Sequence, residues 1–225
     1  MHATKLSKFA ARFTRVFLFA PCICLVLTSC AQGFSSSDSL EAHIDGHSPS
    51  LGNPEAPVTI VQFADFGCRH CKQEAETMRS ILVEYPQEVR LVFKHFIVGA
   101  SPTSESAARA SLAAMVQGKF WQMHDLLLIG QDKQSPERYL LYAKELGMDP
   151  VQFMNDQMHP QLETLLDKDK AYGRRLGVRS VPTIFVNGEP VRGARSFPEI
   201  EAIVNRHLSR LDRDTNIGGK SNAIN

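Results

Sequence analysis

What the chain lacks narrows it first. Its 225 residues carry 25 Lys and Arg against 24 Asp and Glu, so there is no basic excess of the kind that binds nucleic acid. Cysteine is scarce, with five in all, too few for a small disulfide-stapled scaffold. No apolar run reaches the ~20 residues that a membrane-spanning helix needs; the clearest, Val16 to Leu27, has 12. Internal repeats are absent. What is there is ordinary: 43% hydrophobic and 22% charged residues, the composition of a globular protein rather than of a disordered or fibrous one. The length suffices for one domain, or at most two small ones, with a real core.

The charge is unevenly placed. Lys5, Lys8, Arg12 and Arg15 occur in the first 29 residues with no acid among them, which leaves a slight acidic excess for the remainder. A basic start, an apolar middle and the small residues of Thr28-Ser29-Cys30 follow the plan of a secretory signal. Leu27-Thr28-Ser29-Cys30 also resembles the lipobox of bacterial lipoproteins. That resemblance implies removal of residues 1–29 and acylation of Cys30, with more than one acyl chain, as stable anchoring requires. The alternative is an ordinary cut after Ala31 that releases a soluble protein. Either way the expected location is the cell envelope or periplasm. With the anchor, Ala31 lacks the acid that resembles an inner-membrane retention signal, and the outer membrane is favoured over the inner.

Of the five cysteines, Cys22 and Cys24 depart with the signal, and Cys30 is lipidated or lost. One pair remains, Cys68-Arg69-His70-Cys71. A disulfide across so short a loop would constrain little unfolded-chain entropy, so the pair reads as chemical rather than structural. Zinc is the competing reading, because His43 and His47 could complete four ligands with Cys68 and Cys71. That His pair precedes the cysteines in a polar stretch, however, and neither a metal nor another cofactor is expected.

Along the chain, residues 30–57 are rich in Ser, Gly, Pro and Asp and read as a tether. Val58 to Ala64 is a β-branched run of strand length, suited to burial on both faces. Cys68 follows at a strand-to-helix junction. Cys71, Ala75, Met78, Leu82 and Tyr85 then recur at helical spacing until Pro86, and Val89 to Phe96 reads as a second strand. Residues 103–177 hold no convincing strand and are expected to form an all-helical lobe of five helices. Strand character returns at Thr183 to Val186. It is followed by Asn187-Gly188, the preferred two-residue hairpin turn, and by Glu189 to Arg192. Ser196 to Glu199 is a capping box ahead of an amphipathic helix to Leu211, and residues 212–225 read as a polar tail. The parts are thus 58–102 and 178–211 around a helical insertion.

A thiol attacks a disulfide only as its thiolate. Cys68, at a helix N-terminus, meets outward-pointing N–H groups and the positive end of the helix dipole. Arg69 and His70 add positive or donor groups that should lower its pKa further. Cys71, one turn in on the apolar face, is expected to be the shielded, resolving thiol.

Phe66-Gly67-Cys68-Arg69-His70-Cys71 after a strand, a helical insertion, and Gly177-Val178-Arg179-Ser180-Val181-Pro182-Thr183 before another strand together resemble the DsbA family of exported thiol–disulfide oxidoreductases. The resemblance covers roughly residues 50–210. It implies an α/β, thioredoxin-like fold, β-α-β … β-β-α, with an inserted helical lobe. It also implies a cis Val181–Pro182 bond beside the redox pair, with the backbone of Val181 pairing to substrate. The implied activity is oxidation of exported proteins through a mixed disulfide at Cys68, by a monomer that a quinone-linked thiol oxidase in the membrane recharges. The chain departs from the family at two places. Arg69 stands where a Pro is common, and Gln62 where a buried Glu helps to move protons; the direction of Asp65 cannot be read. A reductase or isomerase fed by a membrane thiol carrier is the second reading, and a non-catalytic metal-binding or substrate-holding module the third. Arg174, Arg175, Arg179, Arg192 and Arg195 flank the Pro182 loop and are expected to form a solvated face rather than a site for acidic substrates. His95 and His124 read as structural or exposed, and Trp121 as core.

Overall fold

Strand β2 (Val58–Ala64) is the centre of the frame, because six of its seven residues are buried, as a β-branched run covered on both faces requires. The computed structural model describes residues 48–99 and 101–221, with side chains to residue 213. The expected signal segment 1–29, Cys30 and the His43–His47 pair lie outside the described residues. Around β2 the sheet has the order β1-β3-β2-β4-β5, with β1 at Ser50–Gly52, β3 at Val89–His95, β4 at Thr183–Val186 and β5 at Glu189–Arg192. β2 pairs parallel with β3 from Val58–Val89 to Ala64–His95, through the crossover helix α1 (Arg69–Glu84). The other pairings are antiparallel.

Five helices separate β3 from β4: α2 (Ser104–Val116), α3 (Phe120–Ile129), α4 (Pro136–Glu145), α5 (Pro150–Gln157) and α6 (Pro160–Arg175), with a 3-10 turn at Gln131–Lys133. Three of them start on a cap followed by Pro. Ser135, Asp149 and His159 each accept a backbone N–H from the first turn, and Pro136, Pro150 and Pro160 occupy positions whose N–H has no helical partner anyway. Helix α7 (Phe197–Ser221) begins behind the capping box, where Ser196 donates its N–H and Oγ–H to Glu199 Oε2 at 2.9 and 2.7 Å.

Three layers result. Ile60, Val58, Leu91 and Ile184 pack with Met78 and Ile81 of α1 and with Ile200 and Val204 of α7. On the opposite face Phe63, Val61, Val92 and Phe185 pack with Tyr172 of α6. Gly173 allows that approach: a Cβ there would lie 2.7 Å from Phe96 and 3.0 Å from Phe63. The third core, at the end of the sheet, joins Ala64, Phe66, Cys71 and Phe93 to α2, α3, α4 and α5.

Three boundaries differ from the sequence reading. The expected tether overlaps an ordered segment, since Ser50–Gly52 pairs with Arg90–Val92. All three of its residues are exposed, so backbone hydrogen bonds hold it and no apolar alternation announces it. The expected insertion 103–177 contains α6, yet α6 covers a face of the sheet and only its first half, through Leu162 and Leu166, packs on α2. The expected polar tail begins within α7, whose helix continues to Ser221.

Candidate redox site

The loop between β2 and α1 is folded by Asp65. Its carbonyl accepts the Cys68 N–H at 2.9 Å, and its buried carboxylate accepts the N–H groups of Gly67 at 2.8 Å and Val98 at 3.1 Å. These bonds set Cys68 at the N-cap of α1, in extended backbone conformation. Cys68 is half-buried and Cys71 buried, and both are free thiols.

Their acidities diverge. Cys68 is lowered to about 6, first by the hydrogen bond from the Cys71 thiol and further by the backbone N–H groups of Cys71 and His70; partial burial and the Asp65 charge oppose this. Cys71 is raised, first because its proton is committed to Cys68 and then by burial. The arrangement therefore gives one ionised, accessible sulfur and one protonated, shielded sulfur, as thiol exchange requires. Position 70 contributes its backbone N–H. The side chains of Arg69 and His70 are exposed, and the expected help from their positive or donor groups does not appear among the causes of the shift.

Opposite the pair, the Val181–Pro182 peptide is cis, and Val181 O lies 3.7 Å from Cys68 Sγ. Pro182 is held on both sides: Thr183 Oγ1 donates to Ser180 O at 2.8 Å, and Gly193 N–H to Pro182 O at 2.9 Å.

Sequence reasoning missed several contributors. Gln131 Nε2 donates to Phe66 O and Cys68 O, both at 2.9 Å, and Gln134 Nε2 to Phe66 O at 3.3 Å and Leu127 O at 3.1 Å. These amides clamp the redox loop to the helical lobe. Glu74, one turn after Cys71, is fully buried. Its Oε2 accepts the Arg195 N–H at 2.9 Å, and burial raises its pKa to about 7. No motif marks a glutamine clamp; a Glu on the apolar face of α1 was the one available signal.

His95 and His124 are both buried, in a ring cluster with Phe66, Phe93 and Phe120. Burial pushes His95 down to about 3, so it is neutral. Trp121 is partly buried at the edge of the same cluster and donates Nε1–H to Ser50 O at 3.0 Å, fastening β1. Gln62 is buried, beside a cavity of about 60 Å³ that Ala75, Trp121 and His124 also line. Its amide has no partner among the described residues, and it offers no proton to exchange. The five arginines divide: Arg175 lies over the Tyr172 ring and Arg195 pairs with Glu199, Arg192 projects exposed from β5, and Arg174 and Arg179 border a groove. Among the described residues no cluster of His, Cys, Asp and Glu is arranged to hold a metal ion.

The family model described as thioredoxin matches residues 45–206. The chain belongs to the thioredoxin family. Solved structures share its fold. A thioredoxin-like oxidoreductase from Silicibacter pomeroyi DSS-3 is 31% identical with a TM-score of 0.66, over 76% of this chain and 97% of that one. The thiol–disulfide exchange protein alpha-DsbA2 from Wolbachia pipientis is 21% identical with a TM-score of 0.68, over 76% and 95%, and shares the fold. Among curated proteins, the Na(+)/H(+) antiporter NhaA 3 of Salinispora tropica is 37% identical over 154 residues, 68% of this chain and 24% of that protein. This thioredoxin-family chain thus spans about a quarter of the length of the curated relatives it matches. No helix among its described residues is long and apolar enough to cross a membrane.

Proposed function

We propose that the chain is an exported thiol–disulfide oxidoreductase that acts as a dithiol oxidase on envelope or secreted proteins. In its oxidised form, a substrate thiolate attacks Cys68 Sγ, the Cys68–Cys71 bond breaks, and Cys71 leaves as a thiolate that takes up a proton. A second substrate thiolate then attacks the substrate sulfur of the mixed disulfide and expels Cys68 as thiolate. The substrate loses two electrons and two protons, and the protein is left reduced, with Cys71 a thiol and Cys68 a thiolate. The observation that carries this reading is the split between the two sulfurs, with Cys68 lowered to about 6 and Cys71 raised and buried. A low-pKa Cys68 is a good leaving group, and a stabilised dithiol makes the disulfide oxidising.

Recharging falls to a quinone-linked thiol oxidase in the membrane, and removal of residues 1–29 with acylation of Cys30 holds the protein at the outer membrane. Residues 58–102 and 178–211 supply the thioredoxin-like part, with the cysteine pair and the backbone of Val181 that pairs with substrate beside Pro182. Gln62, which cannot titrate where the DsbA family often has a buried Glu, favours the reductase or isomerase reading instead.

The test is the reduction potential of the Cys68–Cys71 couple in glutathione buffers. A value near about −120 mV is expected; one near about −270 mV, the thioredoxin range, overturns the oxidase direction. Cys71→Ser is expected to accumulate mixed disulfides with substrate at Cys68, visible as adducts that dithiothreitol releases.

A further inference from the structure

A groove of about 620 Å³ opens between the segment leaving β3 and the end of α6. Its floor is apolar, from the buried Phe96 and Val178, the exposed Val98 also lines it, and its border is cationic, from Lys170, Arg174 and Arg179. We propose that it docks an acidic, extended segment of the substrate protein flanking the cysteine that reacts at Cys68. This deepens the redox reading above and rests on it.

Both walls are tied to the redox loop. On one side Val98 donates its N–H to Asp65, whose carbonyl in turn holds the Cys68 N–H. On the other, Arg179 stands two residues before Val181, whose carbonyl is 3.7 Å from Cys68 Sγ. A strand advances about 3.3 Å per residue and returns to the same face every second residue. By that spacing Arg179 stands about two strand positions from Val181, and Arg174 borders the same groove.

The charge at this end is unanswered. The side chains of Arg174 and Arg179 are exposed and make no hydrogen bond or ion pair among the described residues, whereas their basic neighbours are engaged: Lys94 with Asp169, Arg175 over Tyr172, Arg195 with Glu199. Lys170 marks the limit of the positive stretch. It also borders a smaller cavity, of about 140 Å³, where Glu105, Glu163 and Asp167 gather. An apolar floor under two free guanidinium groups fits a peptide that alternates apolar and carboxylate side chains, with backbone pairing for affinity and the charges for selection.

The experiment uses the full chain and matched dithiol peptides with Asp, Asn or Lys two and four positions on either side of one cysteine. The expected result is a kcat/KM for the Asp peptide about tenfold above that for the Lys peptide at low salt. It should fall towards parity at 1 M salt, where the Debye length is about 3 Å, and reverse in the Arg174→Glu, Arg179→Glu double variant. Equal rates for the three peptides overturn the proposal. So does capture of the chain by phosphatidylglycerol vesicles that the double variant abolishes, if the peptides show no preference, because the groove then serves a membrane. Turnover of the Asn peptide by the unsubstituted chain judges the redox reading separately. Fluorescence anisotropy with fluorescein-labelled Asp and Lys peptides, Ser replacing each cysteine, reads docking without any redox step. Binding of the Asp peptide that the double variant loses keeps the groove even if turnover is absent, and equal binding of both peptides removes it.

Discussion

On the sheet side of α1, the turn that carries Cys68 and Cys71 is followed by a buried carboxyl, Glu74, bound to the Arg195 backbone, whereas on the lobe side the same turn is gripped by the amides of Gln131 and Gln134. One side can change its charge within the physiological pH range and the other cannot. The difference separates two tasks that a redox loop must meet together: the lobe fixes the position of Cys68 at any pH, and the groups along α1 make its surroundings pH-dependent.

The comparison breaks most visibly at the sulfurs. Cys68→Ser is expected to abolish peptide oxidation, measured against the uncatalysed rate, because no other described cysteine is exposed enough to form the mixed disulfide. In the reduced wild type, ultraviolet absorbance of the thiolate should titrate with a midpoint near about 6. The folded value lies below the unfolded one, so Cys68 ionisation adds its full stability above about pH 9 and loses it as pH falls through about 6. The stability gap between reduced wild type and Cys68→Ser should therefore widen as pH rises across that window.

Glu74 carries the opposite sign. Its folded pKa of about 7 lies above the ordinary 4.5, so the folded state is favoured while the carboxyl is protonated. That advantage is lost as pH rises from 4.5 through 7. Glu74→Gln keeps an oxygen for the Arg195 N–H and should raise stability in urea by about 2 kcal/mol at pH 8 and little at pH 4. A gain that does not vary with pH would mean that the carboxyl ionises alike in the folded and the unfolded chain. Gln131→Ala has the smallest expected effect, a loss of about 1 kcal/mol that is the same at both pH values and leaves the thiolate midpoint in place. A moved midpoint would show the lobe tuning the sulfur as well as holding it.

The frame was legible because its signals are local. Val58 to Ala64 is apolar at every buried position except Gln62, and Asn187-Gly188 adopts the two positive φ values its hairpin turn demands. The cysteine pair and the cis Val181–Pro182 bond followed from spacing and resemblance. What escaped depends on partners far away in sequence. β1 exists through backbone pairing to β3 and through Trp121 Nε1 at 71 residues' distance. Gln131 reaches Phe66 across 65 residues, and a surface glutamine reads the same as a clamping one. Asp65 could be placed but not aimed, since its two bonds go to Gly67 nearby and to Val98 beyond β3. His95 and His124 were left between buried and exposed because only the assembled ring cluster decides it.

Gly173 has a consequence for selection among substrates. Phe96, which floors the groove, is the ring that a Cβ at position 173 would strike first, and Arg174 is the next residue along α6. Any side chain larger than hydrogen must either lift the helix from the sheet or displace that ring, and either movement changes the distance between the apolar floor and the guanidinium above it. The thickness of the layer is thus a tolerance on which peptides fit, set by an atom the chain omits, so that drift at one buried position can retune preference while every charge stays in place.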